Sequence, residues 1–184
     1  MTSPRPNIEP GRPVVVLVGL PGSGKSSVGR LLAKRWSVGF RDTDNDIEEV
    51  TGRSVGDIFV ESGETFFREL ERVAVAEALH EHSGVLALGG GAVADDATRA
   101  LLRTVRVVFL DVGLADAMKR LEMNRSRPLL LGNIRAQWQA LADARRPWYE
   151  QVADHVVVTD GESVDAVVDQ IAGHWTDQSW RKTP

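Results

Sequence analysis

The chain has 184 residues, 42% of them hydrophobic and 26% charged, with a formal net charge of −4 and no cysteine. That size and balance fit one globular domain, and the mild excess of acid excludes a nucleic-acid wrapper, whose phosphate contacts need a basic surface. Without cysteine, disulfides, thiolate zinc sites and thiol nucleophiles are excluded, and a cytoplasmic location is expected.

Residues 1–13 are polar, carry Pro4, Pro6, Pro10 and Pro13, and read as a disordered leader. No apolar run approaches the roughly 20 residues of a membrane helix, so no membrane partner is expected. Residues 14–18 (V-V-V-L-V) form a continuous β-branched and Leu run, the pattern of a strand buried on both faces and central in a parallel sheet. From Ser26 the apolar spacing turns helical, through Val28, Leu31, Leu32 and Trp36. Residues 38–41 suggest a second strand, and Asp42, Thr43 and Asp44 a turn after it. A short helix over 45–50 should stop at Gly52, and Ser54 with Asp57 three residues on marks the next N-terminus. Gly63 should open a longer helix with Phe66, Phe67, Leu70, Val73, Ala74 and Leu79 on one side.

Residues 85–88 read as a buried strand broken by Gly89, Gly90 and Gly91. A helix over 95–102, a strand over 106–110 ending at Asp111 and a helix over 114–123 follow. Residues 124–134 are polar and irregular, the composition of a mobile lid. A helix over 135–146 should end at Pro147, a fifth strand covers 155–158, and Ser163 caps a last helix striped by Val164, Val167, Val168, Ile171 and Trp175. Residues 176–184 read as a frayed tail. Strands alternating with helices predict a single α/β domain over 14–175, with right-handed crossovers.

G-L-P-G-S-G-K-S, residues 19–26, satisfies the G-x-x-x-x-G-K-[ST] phosphate-loop pattern between a strand and a helix, the context that motif needs. Glycines let successive N–H groups converge on a phosphate, the helix N-terminus adds a favourable dipole, Lys25 meets the β and γ oxygens, and the Ser26 hydroxyl ligates Mg²⁺. Gly22, Ser23, Gly24, Lys25, Ser26 and Ser27 are therefore the candidate ATP-binding set. Such a loop names a nucleotide site but does not say what receives the phosphate. Asp111 could be the acidic strand end that supports Mg²⁺, but the ordinary strand-end Asp is preferred, because Asp42 and Asp44 follow the strand after the phosphate-loop helix.

Asp42 and Asp44, at i and i+2 of a strand end, would point to one side, where one could hold a metal-bound water and the other a substrate hydroxyl; an Asp-rich helix start would look the same. Gly89, Gly90 and Gly91 either let main-chain N–H groups approach a ligand or form a plain turn. Arg68, Arg127 and Arg145 are taken singly as surface residues.

Together these features resemble shikimate kinases. The matching segments come in family order from Val14 to Trp175: G-L-P-G-S-G-K-S, D-T-D-x-x-I-E from Asp42, T-G-R-S from Thr51, F-R-E-L-E from Phe67, L-G-G-G-A-V from Leu88, R-P-L-L from Arg127 and R-x-P-x-Y from Arg145. The resemblance implies a three-layer α/β/α sandwich of the P-loop kinase type, with a five-stranded parallel sheet, an acceptor-binding helical region at about 43–71 and a lid at about 124–134. It implies transfer of the γ-phosphate of ATP to the 3-hydroxyl of shikimate, on the route to chorismate and the aromatic amino acids, by a monomer. It further implies that Asp44 meets the shikimate hydroxyls and takes the proton, and that Arg68 and Arg145 clamp the carboxylate. Gly89, Gly90 and Gly91 would offer N–H groups, Arg127 would meet the transferring phosphate, Arg120 would lie at the adenine, and Asp42 would hold a water of the Mg²⁺ that Ser26 ligates. Where the family often has a basic residue and a Pro in the adenine-facing loop, this chain has Thr159-Asp160-Gly161-Glu162. A gluconate kinase would share the phosphate loop and lid but is not expected to carry the D-T-D and G-G-G pair with both arginines. A nucleotide-switch regulator is disfavoured because no N-K-x-D guanine signature is present.

Overall fold

The computed structural model describes residues 6–123 and 133–175. Its order is β1 (Val15–Val18), α1 (Lys25–Trp36), β2 (Phe40–Asp42), α2 (Thr43–Thr51), α3 (Val55–Glu81), β3 (Val85–Ala87), a 3₁₀ turn (Ala92–Ala94), α4 (Asp96–Leu102), β4 (Val107–Asp111), α5 (Leu114–Met123), α6 (Ile134–Val152), β5 (His155–Val158) and α7 (Val164–His174). The five strands form one parallel sheet in the order β2-β3-β1-β4-β5. β1 is central, as its unbroken apolar run predicts.

The pleat sorts alternate strand residues into two cores. Val15, Leu17, Val85, Val108, Leu110 and Val157 meet α1 and α7 on one face, around Leu32, Trp36, Val168 and Ile171. Val16, Val18, Leu86, Val107 and Phe109 meet α3, α5 and α6 on the other. The three inner strands β3, β1 and β4 are covered on both sides, which is why their sequences show no polar alternation, whereas the edge strand β5 leaves Val156 and Val158 exposed. A third, smaller core, Ile47, Ile58, Phe67 and Ala74, joins α2 to α3 beside the sheet.

Several sequence expectations are corrected. Within the leader, Pro6 and Pro13 are buried and the exposed stretch between them is tied down, Gly11 N–H donating to Ser83 Oγ at 2.8 Å and Arg12 reaching the Thr104 carbonyl. The helix break at Gly63 is real, with φ 82° and ψ 168° inside α3. Phe66 and Val73, however, face outward, 40% and 56% exposed. The buried stripe runs through Phe67, Glu71, Ala74, Val75 and Ala78, and a single helix face cannot also include Phe66 and Val73.

Pro147 does not end α6, which continues to Val152. An internal Pro forfeits a backbone bond and costs about 3 kcal/mol. Tertiary burial offsets that cost, because Tyr149 and Val152 are 0% and 3% exposed and the Tyr149 ring stacks on Phe109 at 4.9 Å. The lid expected over 124–134 falls mainly outside the described residues, as does Arg127; Asn133 and Ile134 are the N-cap and first residue of α6. The tail over 176–184 also lies outside them.

Candidate active site

The phosphate loop leaves the C-terminal end of β1 at the point where its neighbours β3 and β4 diverge, the crevice in which open α/β sheets bind ligands. Gly22 and Gly24 have φ of 85° and 90°, a left-handed backbone that glycine adopts without strain. The Lys25 ammonium donates to Gly19 O at 2.8 Å and Leu20 O at 3.2 Å, so the loop curls around it. Trp138 of α6 supports the loop from behind, its indole N–H donating to Pro21 O at 3.0 Å.

Asp42 and Asp44 realise the helix-start reading of the pair. Asp42 ends β2 and is also the N-cap of α2, accepting from Asp44 N–H at 3.2 Å. Its other oxygen accepts from Ser26 Oγ at 2.7 Å, which ties β2 to the start of α1. A hydroxyl and one buried carboxylate at this spacing suit Mg²⁺, an ion that keeps several waters and takes most other ligands from phosphate. Among the described residues no group of three or more His, Asp or Glu forms a self-sufficient metal cage. Asp111 is occupied elsewhere, accepting two bonds from Arg146 at 2.7 and 2.8 Å.

Two cavities meet at Asp44. One, of about 550 Å³, is walled by Gly22, Ser23, Gly24, Lys25, Ser26 and Ser27 together with Asp42, Arg120 and Thr159. The other, of about 660 Å³, holds Arg68, Arg145, Gly90 and Gly91 against the apolar side chains of Phe59 and Phe67. Asp44 lines both. Gly89 lines neither; its N–H donates to Thr43 Oγ1 at 3.1 Å, and its lack of a side chain lets the Asp44 and Glu71 carboxylates pack against it.

The arginines of the second cavity are held rather than loose. Arg68 Nη1 donates to Glu71 at 2.5 Å, and its Nε and Nη2 donate to Glu64. Burial opposes the charge on Arg68, but Glu71 and Glu64 hold its pKa above the ordinary arginine value. Glu71 is 3% exposed, and burial raises its pKa against the opposing pull of Arg68. Arg145 donates to Gly90 O at 3.0 Å, and the Tyr149 hydroxyl donates to the same carbonyl at 2.5 Å. Burial also raises the pKa of that hydroxyl, which keeps it a donor. A side chain at Gly91 would collide with the Arg68 guanidinium.

A family model for shikimate kinase matches residues 21–175. The chain belongs to the shikimate kinase family. A shikimate kinase of Frankia casuarinae is 55% identical over 159 residues, 86% of this chain and 71% of that protein. One of Streptomyces coelicolor is 54% identical over 155 residues, 84% of this chain and 91% of that protein. The solved shikimate kinase of Acinetobacter baumannii, in complex with shikimate, superposes with a TM-score of 0.82 at 33% identity, covering 85% of this chain and 89% of its own. The family reaction is ATP-dependent phosphorylation of shikimate, and the chain is a phosphotransferase of that kind.

Of the described site residues expected from sequence, all but Gly89 line one of the two cavities. Sequence reasoning gave no role to Glu71, Tyr149, Trp138 or Thr159. Glu71 lies at i+3 from Arg68 on one helix, a pairing that spacing alone could have suggested. Tyr149 lies at i+4 from Arg145, but expecting the helix to stop at Pro147 separated them. Nothing local in the sequence marks Trp138, and Thr159 is marked only as part of the loop 159–162.

Proposed function

We propose that shikimate occupies the cavity of Arg68 and Arg145 while ATP occupies the phosphate-loop cavity, and that phosphoryl transfer takes place at Asp44 between them. The observation carrying this reading is that Asp44 is the acidic side chain common to both walls. The guanidinium groups of Arg68 and Arg145 would take the carboxylate, a planar anion that such forks match. Gly90 and Gly91 would let the ring approach the main chain, with Phe59 and Phe67 against its apolar edge. Asp44 would accept the proton of the 3-hydroxyl as that oxygen bonds to the γ-phosphorus, while the bond from phosphorus to the bridging oxygen breaks and ADP leaves with the electron pair.

Lys25, at the head of α1, would stabilise the charge spreading over the transferring oxygens, and Arg127 would make a second such contact. Ser26 directly, and Asp42 through water, would hold Mg²⁺, which when bound neutralises phosphate charge. Arg120 would sit beside the adenine. The family resemblance implies a monomer, and a cytoplasmic enzyme fits the cysteine-free composition. No helix among the described residues is long and apolar enough to cross a membrane.

A coupled ADP-release assay with Mg-ATP, comparing shikimate, gluconate and no acceptor, tests the reading. ADP release that depends on shikimate is expected. Release with gluconate alone, or equal release without any acceptor, would overturn the assignment of the second cavity.

A further inference from the structure

The segment after β5 lines the nucleotide cavity with Thr159 and Glu162 and is held by several hydrogen bonds. Thr159 is polar yet 1% exposed. Its N–H donates to Asp111 O at 2.8 Å, and its hydroxyl donates to the same carbonyl at 3.0 Å. The hydroxyl oxygen accepts from Arg120 Nη1 at 3.0 Å, and its carbonyl accepts from Arg120 Nη2 at 2.6 Å. Arg120 Nη1 also donates across the cavity to Gly22 O at 3.2 Å. One guanidinium thus spans from the phosphate loop to the loop after β5.

That second loop is itself pinned. Gly113 N–H donates to both carboxylate oxygens of Asp160, at 2.8 and 3.0 Å, and Gly161 N–H donates to Asp116 at 2.6 Å. A hydroxyl has one proton and two lone pairs. Here Asp111 O takes the proton, so a lone pair is left directed at Arg120. An arginine side chain has many rotamers, and holding it in place before a ligand arrives lowers the ordering cost of binding.

We propose that Thr159 is a positioning residue for the nucleotide: it touches no reacting atom but, through its hydroxyl, keeps Arg120 set across the slot in which the base end of Mg-ATP lies. This rests on the reading of that cavity as the ATP site. The Asp160 and Asp116 contacts tie the loop to Gly113 and to α5 and so keep Thr159 itself in place.

The test is a set of four variants assayed by steady-state kinetics with Mg-ATP and shikimate: Thr159→Val, Thr159→Ser, Arg120→Ala and the Thr159→Val/Arg120→Ala double. Thr159→Val keeps the shape and removes the hydroxyl; it is expected to raise KM for ATP about tenfold, the scale of one charge-assisted hydrogen bond, with kcat and KM for shikimate within about twofold. Thr159→Ser should restore the parental KM. Because the hydroxyl acts through the guanidinium, Thr159→Val should add nothing in the Arg120→Ala background. The proposal is overturned if Thr159→Val leaves KM for ATP unchanged, if Thr159→Ser behaves like Thr159→Val, or if the two effects add. Should Thr159→Val not fold, a Thr159→Ser variant with a raised KM would by itself overturn the proposal. If Arg120→Ala also leaves KM for ATP unchanged, the nucleotide-site reading fails as well, so the two failures are distinguishable.

Discussion

Gly89→Ala tests whether the position of Asp44 governs the chemistry. Gly89 does not have a positive φ, so alanine suits its backbone and only the added methyl acts. A Cβ there would lie 2.5 Å from Asp44 Oδ1 and 2.6 Å from Glu71 Oε1, where ordinary contact begins at 3.4 Å. Gly89 follows β3, which is buried in the sheet, and its N–H is bonded to Thr43, so the carboxylates must yield rather than the strand. Asp44 would have to retreat by roughly 0.9 Å, and a misplacement of about 1 Å at a reacting group costs on the order of 100-fold in rate. Overpacking should also cost about 1–3 kcal/mol of stability. The assay is ADP release at saturating substrates, with urea unfolding to confirm a folded variant and calorimetry for Mg-ATP. The expected result is a kcat lower by about 100-fold with ATP affinity kept within about twofold. A folded variant with kcat within about threefold of the parent would refute the role given to Asp44, because the methyl cannot be accommodated without moving it.

Other perturbations separate the remaining roles. Lys25→Ala should lower kcat by about 10³-fold or more with the fold retained, since its charge is aimed at the transferring group; near-normal turnover in a folded variant would exclude that role. Arg145→Ala should raise KM for shikimate by about 10- to 100-fold and leave Mg-ATP binding unchanged, and equal loss of both affinities would count against a carboxylate clamp. Burial lowers the pKa of His82 from 6.5, and its Nε2 lies 3.1 Å from Val85 O. The unfolded chain then binds more protons than the folded one, so this contribution to stability is complete above the ordinary value and is lost as pH falls through it. His82→Gln keeps a donor for Val85 O, so its unfolding free energy should fall less than the parent's between about pH 7.5 and 5.5; parallel curves would show that His82 does not titrate on unfolding.

Local pattern was enough to reveal the sheet and the phosphate loop. An unbroken run such as 14–18 can be buried on both faces only in a covered parallel sheet, and the loop motif is contiguous because consecutive N–H groups must converge on one phosphate. The ordered series of short motifs around Asp44, Arg68, Gly90 and Arg145 then carried the family, since each retains the residue type its chemistry needs. Helix ends and faces were less legible: Pro147 reads locally as a stop, yet the burial of Tyr149 carries α6 past it, and Phe66 reads as core until the third dimension turns it outward. Spacing could not show that Asp44 would border two cavities, or that Thr159 would reach Arg120 from 39 residues away. Those relations depend on where the crossovers return each strand. Sequence by itself determined which groups are present and which local shapes they favour; the packing of α3, α5 and α6 around one end of the sheet decided which of them meet, because a hydrogen bond or ion pair is set by distances that the chain order does not contain.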